Sequence, residues 1–271
     1  MTEFDNTHLS IDIVEDTKLI HRDYIAHCMR WSYVLKWLTI GGRYKTASVF
    51  DIGAGKDLPL FKMICSNRLT KTKYAGVDIN KLELPKNFSK RSVECKLYSE
   101  TDFMSLSNEV FEGVNVFTSF EVLEHVPPGY AREVVERVFS LMNNDAHFFV
   151  STPCYDEQVG PADNHINEMT RDAFGYLLES TGFEIVENFG TFASQKDYKK
   201  KLTPGELEVY NGLSRYYHHH YLATIMAPIY PQYSRNNIWL VKKADSMSNR
   251  RFPTKPEGQW SQHDNWRSLL K

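Results

Sequence analysis

The spacing of apolar positions changes several times along the chain, and each change predicts a new element. Residues 17–38 carry apolar side chains every three or four positions, which predicts an amphipathic helix. From residue 47 onward, short β-rich runs alternate with helical stretches such as residues 130–142. The predicted strands are residues 48–52, 74–77, 93–98, 114–119 and 147–151. This alternation predicts a doubly wound α/β fold, a mostly parallel sheet with helices on both faces.

The alternation continues into the second half of the chain. A helix is predicted over residues 170–181, ending at Gly182, where a left-handed residue closes a helix well. A strand is predicted at residues 183–189, and a last core strand at residues 238–241.

Residues 191–235 interrupt this pattern. Thr203, Pro204 and Glu206 have the spacing of a capped helix start, which predicts a helix over residues 203–221. The stretch that follows is rich in Tyr, Pro and Met, which favours an inserted helical cap over a pocket. The predicted division is an N-terminal helical segment (1–46), a core (47–190), the cap (191–235), the last core strand (236–244) and a polar C-terminal tail (245–271).

Composition and charge exclude several classes of protein. Hydrophobic residues make up 42% of the 271 positions and charged residues 24%, as in soluble globular proteins. The net charge of -2 provides no global field that would draw the chain onto nucleic acid. Residues 1–10 lack a signal-peptide core, and no apolar run has membrane-spanning length. Because the four cysteines are widely spaced, we expect reduced thiols in a cytoplasmic protein with no membrane partner.

A glycine-rich loop follows the first predicted strand. Residues 49–57 read Val-Phe-Asp-Ile-Gly-Ala-Gly-Lys-Asp, so a buried strand runs into Asp-x-Gly-x-Gly. Glycines let the backbone turn sharply and let a ligand lie against bare peptide, and such ligands bind beyond the carboxyl ends of the strands. Asp78 ends the next strand, where a carboxylate suits two ribose hydroxyls. Asp102 follows the third strand and suits an adenine amino group.

These three segments together resemble the first three motifs of the class I, Rossmann-like S-adenosylmethionine-dependent methyltransferases. The resemblance covers residues 45–190 and the strand near residue 240, and departs at Asp57, where many members have a third glycine. It implies the doubly wound fold and S-adenosyl-L-methionine as the cofactor. The cofactor-binding residues that it implies are Asp51, Gly53, Ala54, Gly55, Asp78, Ile79, Asp102, Phe103 and Ser119.

Two alternatives to a methyl-donor site were weighed. A dinucleotide-binding dehydrogenase requires G-x-G-x-x-G, but Leu58 stands three positions after Gly55 and the loop is short for a pyrophosphate. The second alternative is that the three aspartates, Asp51, Asp78 and Asp102, are only polar residues at strand ends and bind no ligand. Their register over successive strands favours the cofactor site.

A second set of polar residues follows the fourth and fifth strands. Glu121, Glu124 and His125 form an E-x-x-E-H segment, and His165 precedes the next helix. Two carboxylates and two imidazoles suit Mg²⁺ or Mn²⁺. The segment resembles those of ubiquinone-biosynthesis O-methyltransferases and of small-RNA terminal 2′-O-methyltransferases, whose metal site uses E-x-x-E-H and a later His. This resemblance implies all four residues as metal ligands.

The alternative is that Glu124 caps or pairs locally and that His125 packs under the sheet. In that case His125 or His165 is the candidate general base. The catalytic candidates are therefore His125, His165 and Glu121.

Three functions remain open from the sequence. The first is O-methylation of a small or nucleotide-like acceptor, and the second is methylation of nucleic acid, for example at an RNA end. The third is a non-catalytic protein that binds an S-adenosyl ligand. The slightly acidic balance favours the first over the second, and the intact acidic anchors argue against the third. The fold itself fixes no acceptor.

Overall fold

The computed structural model describes residues 22–84, 93–191, 198–246, 250–263 and 265–270. The first five residues of the predicted N-terminal helix, 17–21, lie outside the described residues.

Seven strands form one sheet in the order β3-β2-β1-β4-β5-β7-β6. They are β1 (Ser48–Ile52), β2 (Lys73–Val77), β3 (Glu94–Tyr98), β4 (Val116–Phe120), β5 (His147–Pro153), β6 (Phe183–Gly190) and β7 (Asn236–Lys243). The first five strands run parallel, and β7 is antiparallel to both of its neighbours, β5 and β6. The predicted doubly wound, mostly parallel fold is confirmed. The strand order reverses between β1 and β4, and this is where such sheets open a ligand crevice.

Helices cover both faces of the sheet. They are α1 (Arg22–Thr39), α2 (Pro59–Ser66), α3 (Pro128–Leu141), α4 (Arg171–Thr181), α5 (Pro204–Leu213), α6 (His219–Met226) and α7 (Trp266–Leu269). Side chains alternate along β1, so Phe50 joins the core under α3 and α4 while Val49 joins the core under α1 and α2. No helix among the described residues is both long enough and apolar enough to cross a membrane.

Residues 203–226 of the insertion between β6 and β7 form two α-helices, so the single helix predicted over residues 203–221 is wrong in extent. Its start is as predicted, because Thr203 and Glu206 form a reciprocal capping box. The helix ends at Leu213, whose carbonyl accepts hydrogen bonds from the amides of both Tyr216 and Tyr217 at 3.0 Å. That turn brings α6 back onto the insertion's own small core, which includes Tyr198, Tyr210, Leu222, Met226 and Tyr230.

The C-terminal segment packs against the sheet although its sequence has no regular pattern. Trp260, Trp266 and Leu270 are buried in the same core as α3 and α4. Phe252 packs against that core from its edge. The two tryptophans therefore hold the polar segment to the body of the protein.

Candidate active site

A cavity of about 1130 Å³ opens where β1, β2 and β4 end. Small-molecule sites typically enclose roughly 300–1,000 Å³, so this volume accommodates a cofactor and a second molecule. The cavity is lined by the glycine loop, by Asp78 and Ile79, by residues 120–126, and by the N-terminal helix α1.

The glycine loop is shaped for close approach of a ligand. Gly53 and Gly55 have φ values of 69° and 70°, a region that side chains with a Cβ rarely adopt. A Cβ on Gly53 would overlap the Val122 side chain, whereas one on Gly55 would meet nothing within 4 Å. The amides of Gly53 and Ala54 donate to the Val77 carbonyl at 2.9 and 3.1 Å, which fixes the loop to β2.

Asp78 connects this loop to the end of β2. Its Oδ2 accepts a hydrogen bond from the Gly55 amide at 2.9 Å. Its Oδ1 accepts from the backbone and side-chain nitrogens of Asn80 at 2.8 and 3.0 Å. A carboxylate has about four acceptor positions, so one remains. Contact with both ribose hydroxyls therefore requires the Asn80 side-chain amide to give way.

The other predicted cofactor residues differ in their surroundings. Ile79 is 76% exposed at the cavity wall. Asp102 accepts hydrogen bonds from the Met104 amide at 2.8 Å and from the Tyr130 hydroxyl. Phe103 also lines the cavity. Ser119 does not, because it is fully buried inside β4.

Asp51 is buried and serves the sheet as well as lining the cavity. Its two carboxylate oxygens accept hydrogen bonds from the Tyr74 hydroxyl at 2.8 Å and the Thr118 hydroxyl at 2.5 Å. Burial raises the pKa of this carboxyl to about 6, although both hydrogen bonds act in the opposite direction. Asp51 thus ties β1 to β2 and β4 directly beneath the glycine loop.

Glu121 follows β4 in a left-handed conformation, with φ of 53°, which is strained for a residue with a side chain. Its carboxylate accepts hydrogen bonds from the Ser151 hydroxyl and the Asn236 amide, both at 2.6 Å. It also forms an ion pair with the Arg30 guanidinium at 3.2 Å. One side chain therefore joins α1, β5 and β7.

Arg30 is a residue that the sequence analysis missed. It is buried on α1 and lines the cavity. Burial lowers the pKa of its guanidinium to about 10, and the attraction of Glu124 opposes that change. Its position could have been predicted from the sequence, because Arg30 lies four residues from both Ala26 and Val34 and therefore on the buried face of the helix.

Glu124, His125 and His165 converge next to this ion pair, with one potential ligand atom from each lying within 4.8 Å of the others. Nδ1 of His125 lies 3.1 Å from the Asn164 carbonyl, and Nδ1 of His165 lies 2.5 Å from the Glu168 carboxylate. These contacts place the proton of each neutral ring on Nδ1 and leave Nε2 as the basic nitrogen. The two rings meet edge to face, with centroids 4.9 Å apart.

Glu124 is the most unusual member of this cluster. Its side chain is fully buried, and neither carboxylate oxygen has a hydrogen-bond partner among the described residues. Nε2 of His125 lies 3.9 Å from Oε1, too far for a hydrogen bond. Burial raises the pKa of the carboxyl to about 8, against the effects of its own backbone amide and of Arg30. Ionisation at this position is therefore costly, and a cation bound by the cluster would offset that cost, so the arrangement fits a metal site.

The structure thus brings together three of the four residues predicted to bind a metal. Glu121 lies outside the group of three, and its oxygens face Arg30, Ser151 and Asn236. Metal binding stays a prediction. Glu168, which orients His165, was not predicted, because its partner is known only once the loop is folded.

The insertion contributes little to the cavity wall. Among its described residues, only Thr191 and Arg235, at its two ends, line the cavity. Lys199, Lys200 and Lys201 are exposed, and the buried tyrosines fill the insertion's own core. That the insertion covers an acceptor stays a prediction.

A family profile described as a methyltransferase domain matches residues 36–188, more than half of the chain. The chain belongs to this family. It is an S-adenosylmethionine-dependent methyltransferase, and its seven-stranded sheet is the class I fold. A search of curated protein sequences returns no match.

Solved structures share the fold of this methyltransferase at low sequence identity. Magnesium protoporphyrin IX methyltransferase from Synechocystis PCC 6803 with bound SAH is 13% identical, with a TM-score of 0.50 over 81% of this chain and 84% of that chain. The same enzyme with bound SAM is 12% identical, with a TM-score of 0.50 over 90% and 100%. The methyltransferase domain of bacterial CtHen1-CN is 17% identical, with a TM-score of 0.49 over 80% and 99%.

Proposed function

We propose that this methyltransferase transfers the methyl group of S-adenosylmethionine to a hydroxyl of a small or nucleotide-like acceptor, with Mg²⁺ or Mn²⁺ at the Glu124 cluster. The single observation that carries the metal-dependent part is the buried Glu124 carboxyl group, which lies beside two oriented imidazoles and whose oxygens have no hydrogen-bond partner among the described residues.

The cofactor half of the proposal rests on the glycine loop and the strand ends. Gly55 exposes bare backbone where the methionine part of the cofactor would lie, and Asp78 offers its remaining acceptor position to the ribose. The exposed Ile79 suits the face of an adenine ring, and Asp102 suits its amino group. Residues 120–125 line the same cavity, and Val122 lies against the glycine loop, so we infer that they lie near the sulfonium group.

The acceptor half rests on the donor set of the cluster. Carboxylate oxygens with neutral imidazoles suit Mg²⁺ or Mn²⁺ better than zinc, whose sites usually have four close ligands, often thiolates. Bound there, a divalent ion supplies Lewis-acid activation that lowers the pKa of an acceptor hydroxyl. Glu168 holds His165 in one orientation, and Asn164 does the same for His125. Glu121 becomes a fourth ligand if it releases Asn236 or Arg30.

These residues contribute positioning more than covalent chemistry. Methyl transfer from a sulfonium is an in-line displacement, so the acceptor oxygen must be held in line with the methyl group. A site with several oxygen-binding positions favours an acceptor with two neighbouring oxygens, such as a vicinal diol or a catechol. Arg235 and Asn236 line the same part of the cavity and offer hydrogen-bond donors to the rest of that molecule.

The test is turnover with radiolabelled S-adenosylmethionine and fractionated metabolites, nucleosides and RNA. EDTA is expected to suppress labelling and added Mn²⁺ to restore it. His165→Gln should lose at least tenfold in Mn²⁺-dependent activity, whereas His147→Gln, a histidine at the far end of β5, should not. Labelling that is unchanged by EDTA would contradict the metal-dependent part.

Periodate treatment of each fraction identifies the acceptor, because it cleaves vicinal diols. We expect label in the small-molecule or nucleoside fraction, lost when that fraction is oxidised beforehand. Label that enters intact RNA, but not RNA whose terminal diol has been oxidised beforehand, would instead support an RNA-end methyltransferase. Label in no fraction, despite measurable cofactor binding, would contradict the proposed class of acceptor.

A further inference from the structure

The loop that carries His165 and Glu168 pairs at Met169 with the residues that follow β5, because the Met169 carbonyl accepts a hydrogen bond from the Tyr155 amide at 3.0 Å. It is fastened to the turn that carries Glu124 and His125 by backbone hydrogen bonds. The amides of Ile166 and Asn167 both donate to the Glu124 carbonyl, at 2.9 and 3.0 Å. The two halves of the metal cluster are therefore joined at the Glu124 carbonyl, and a shift of the loop would move His165 relative to Glu124.

A segment nearly one hundred residues later lies against the outer side of this loop. We define the C-terminal arm as residues 259–263 together with Trp266. Its Gln262 accepts a hydrogen bond from the Glu168 amide at 2.9 Å and donates one to the His165 carbonyl at 3.0 Å. The Thr170 amide donates to the Trp260 carbonyl at 2.7 Å, and Ser261 pairs with Met169 as an isolated β-bridge. The arm thus holds both ends of residues 165–170.

Trp266 extends this connection to the other half of the cluster. Its fully buried indole N–H donates to Oδ1 of Asn167 at 2.6 Å. Nδ2 of Asn167 in turn donates to the Leu123 carbonyl at 2.9 Å, in the turn that precedes Glu124. A continuous chain of hydrogen bonds therefore runs from the arm through the loop to the turn, and every link is buried or half-buried.

We propose that the C-terminal arm is a positioning element for the metal cluster, in which Gln262 and Trp266 hold the loop with His165 and Glu168 against the turn with Glu124 and His125. This rests on the proposed function, because it assigns the arm to the metal site of that function. Neither Gln262 nor Trp266 lines the cavity. Gln262 bonds to the backbone of the loop and Trp266 to the Asn167 side chain, so both act through the loop. Since outer-shell partners of metal ligands set affinity as well as orientation, the arm's effect belongs to metal binding and not to cofactor binding.

The test is Mn²⁺ binding to the full chain, measured by calorimetry with S-adenosylhomocysteine present. Gln262→Met keeps the length of the side chain but makes neither hydrogen bond. We expect it to weaken Mn²⁺ binding by roughly tenfold or more, with S-adenosylhomocysteine affinity within twofold of wild type. In turnover, its KM for Mn²⁺ should rise and its kcat should recover at saturating Mn²⁺.

The matched control is Gln259→Met, in the same arm. Among the described residues, Gln259 donates to the Tyr155 hydroxyl and the Ser261 carbonyl and not to residues 165–170, so its replacement should leave Mn²⁺ affinity unchanged. Trp266→Phe keeps a large buried ring but loses the hydrogen bond to Asn167, and should also weaken Mn²⁺ binding selectively. This second variant keeps the proposal testable if Gln262→Met does not fold.

The outcomes separate the two proposals. If the wild-type chain binds Mn²⁺ and both folded variants, Gln262→Met and Trp266→Phe, bind it equally well, only the role of the arm is overturned. Equal losses of Mn²⁺ and S-adenosylhomocysteine affinity would show a general structural role and would also overturn it. A wild-type chain that binds no Mn²⁺ would overturn the metal-dependent function, and the role of the arm with it.

Discussion

Glu121 shows how much a single residue at a strand end can organise. The left-handed backbone turns its side chain toward three donors that come from α1, β5 and β7. A glycine would adopt this backbone without strain, but it would leave Arg30 buried without its ion-pair partner. The strain is therefore accompanied by a function that only a carboxylate provides at this position.

Gly53 gives a prediction about the cofactor loop. In Gly53→Ala the new Cβ must displace Val122 in a backbone region unfavourable to alanine, so S-adenosylhomocysteine affinity should fall at least tenfold. Gly113→Ala is the control, because Gly113 has a φ of 76° but open space around it. That variant should lose only about 1–2 kcal/mol of unfolding free energy and keep its affinity. Calorimetry and urea unfolding measure both quantities, and equal affinities would contradict the prediction.

Asp51 gives a prediction about pH. Its folded pKa of about 6 lies above the ordinary value, so the folded chain keeps a proton that the unfolded chain has lost. This contribution to stability is complete below about pH 4 and disappears as the pH rises through about 6. Relative to wild type, Asp51→Asn should therefore gain roughly 3 kcal/mol of unfolding free energy between about pH 4 and pH 7. Urea unfolding measures the difference, with the exposed Asp145→Asn as control; parallel pH profiles would disprove it.

At the scale of elements, the attachment of α1 to the end of the sheet depends on charge as well as apolar packing. Arg30→Met leaves Glu121 buried without its cation and should lower the unfolding free energy by roughly 3–5 kcal/mol. The double variant Arg30→Met/Glu121→Gln should recover part of that loss, because the uncompensated charge is gone. The exposed Lys73–Glu94 pair is the comparison, and Lys73→Met should cost less than about 1 kcal/mol. Additive losses in the double variant would argue against this coupling.

The insertion between β6 and β7 gives a second prediction at this scale. Its ends lie together, since the Thr191 amide donates to the Asn236 carbonyl at 3.0 Å. A short Gly-Ser linker in place of residues 193–233 is therefore compatible with the sheet. We expect the shortened chain to fold and to bind S-adenosylhomocysteine within a few-fold of wild type, but to lose turnover. Helix α6 of the insertion contacts α1. Loss of folding and cofactor binding together would therefore assign the insertion to the main core.

Most helices and strands could be predicted from the sequence, because the spacing of apolar residues within each element indicates its type. The pattern of β1 and the glycines after it predicted both the strand and its ligand loop, and the cap at Thr203 predicted where α5 begins. The break after Leu213 was not accessible. It arises because α6 packs back on Tyr198 and Tyr210, and a contact of that kind leaves no trace in helical periodicity.

For the whole molecule, the predictable part of the site is the part that lies on consecutive strands. Each of these groups directly follows a strand: the glycine loop, Asp78, Asp102 and the E-x-x-E-H segment. The fold class therefore places them at the carboxyl edge of the sheet. Arg30, Glu168 and Gln262 reach the site from α1, a loop and the C-terminal arm. Their partners lie up to 97 residues away along the chain, and no local pattern records which buried charge or carbonyl they will face.

The position of β7 has a consequence for how the chain is made. It is the last strand in sequence, yet it lies between β5 and β6, which are synthesised before it. While the ribosome is still translating residues 191–243, β5 presents a bare edge of apolar sequence, and β6 has no strand to join. Such an edge is where nascent chains aggregate or recruit chaperones. The sheet is therefore complete only when β7 is inserted between β5 and β6. A pause in translation within the insertion would prolong the time during which the β5 edge can aggregate.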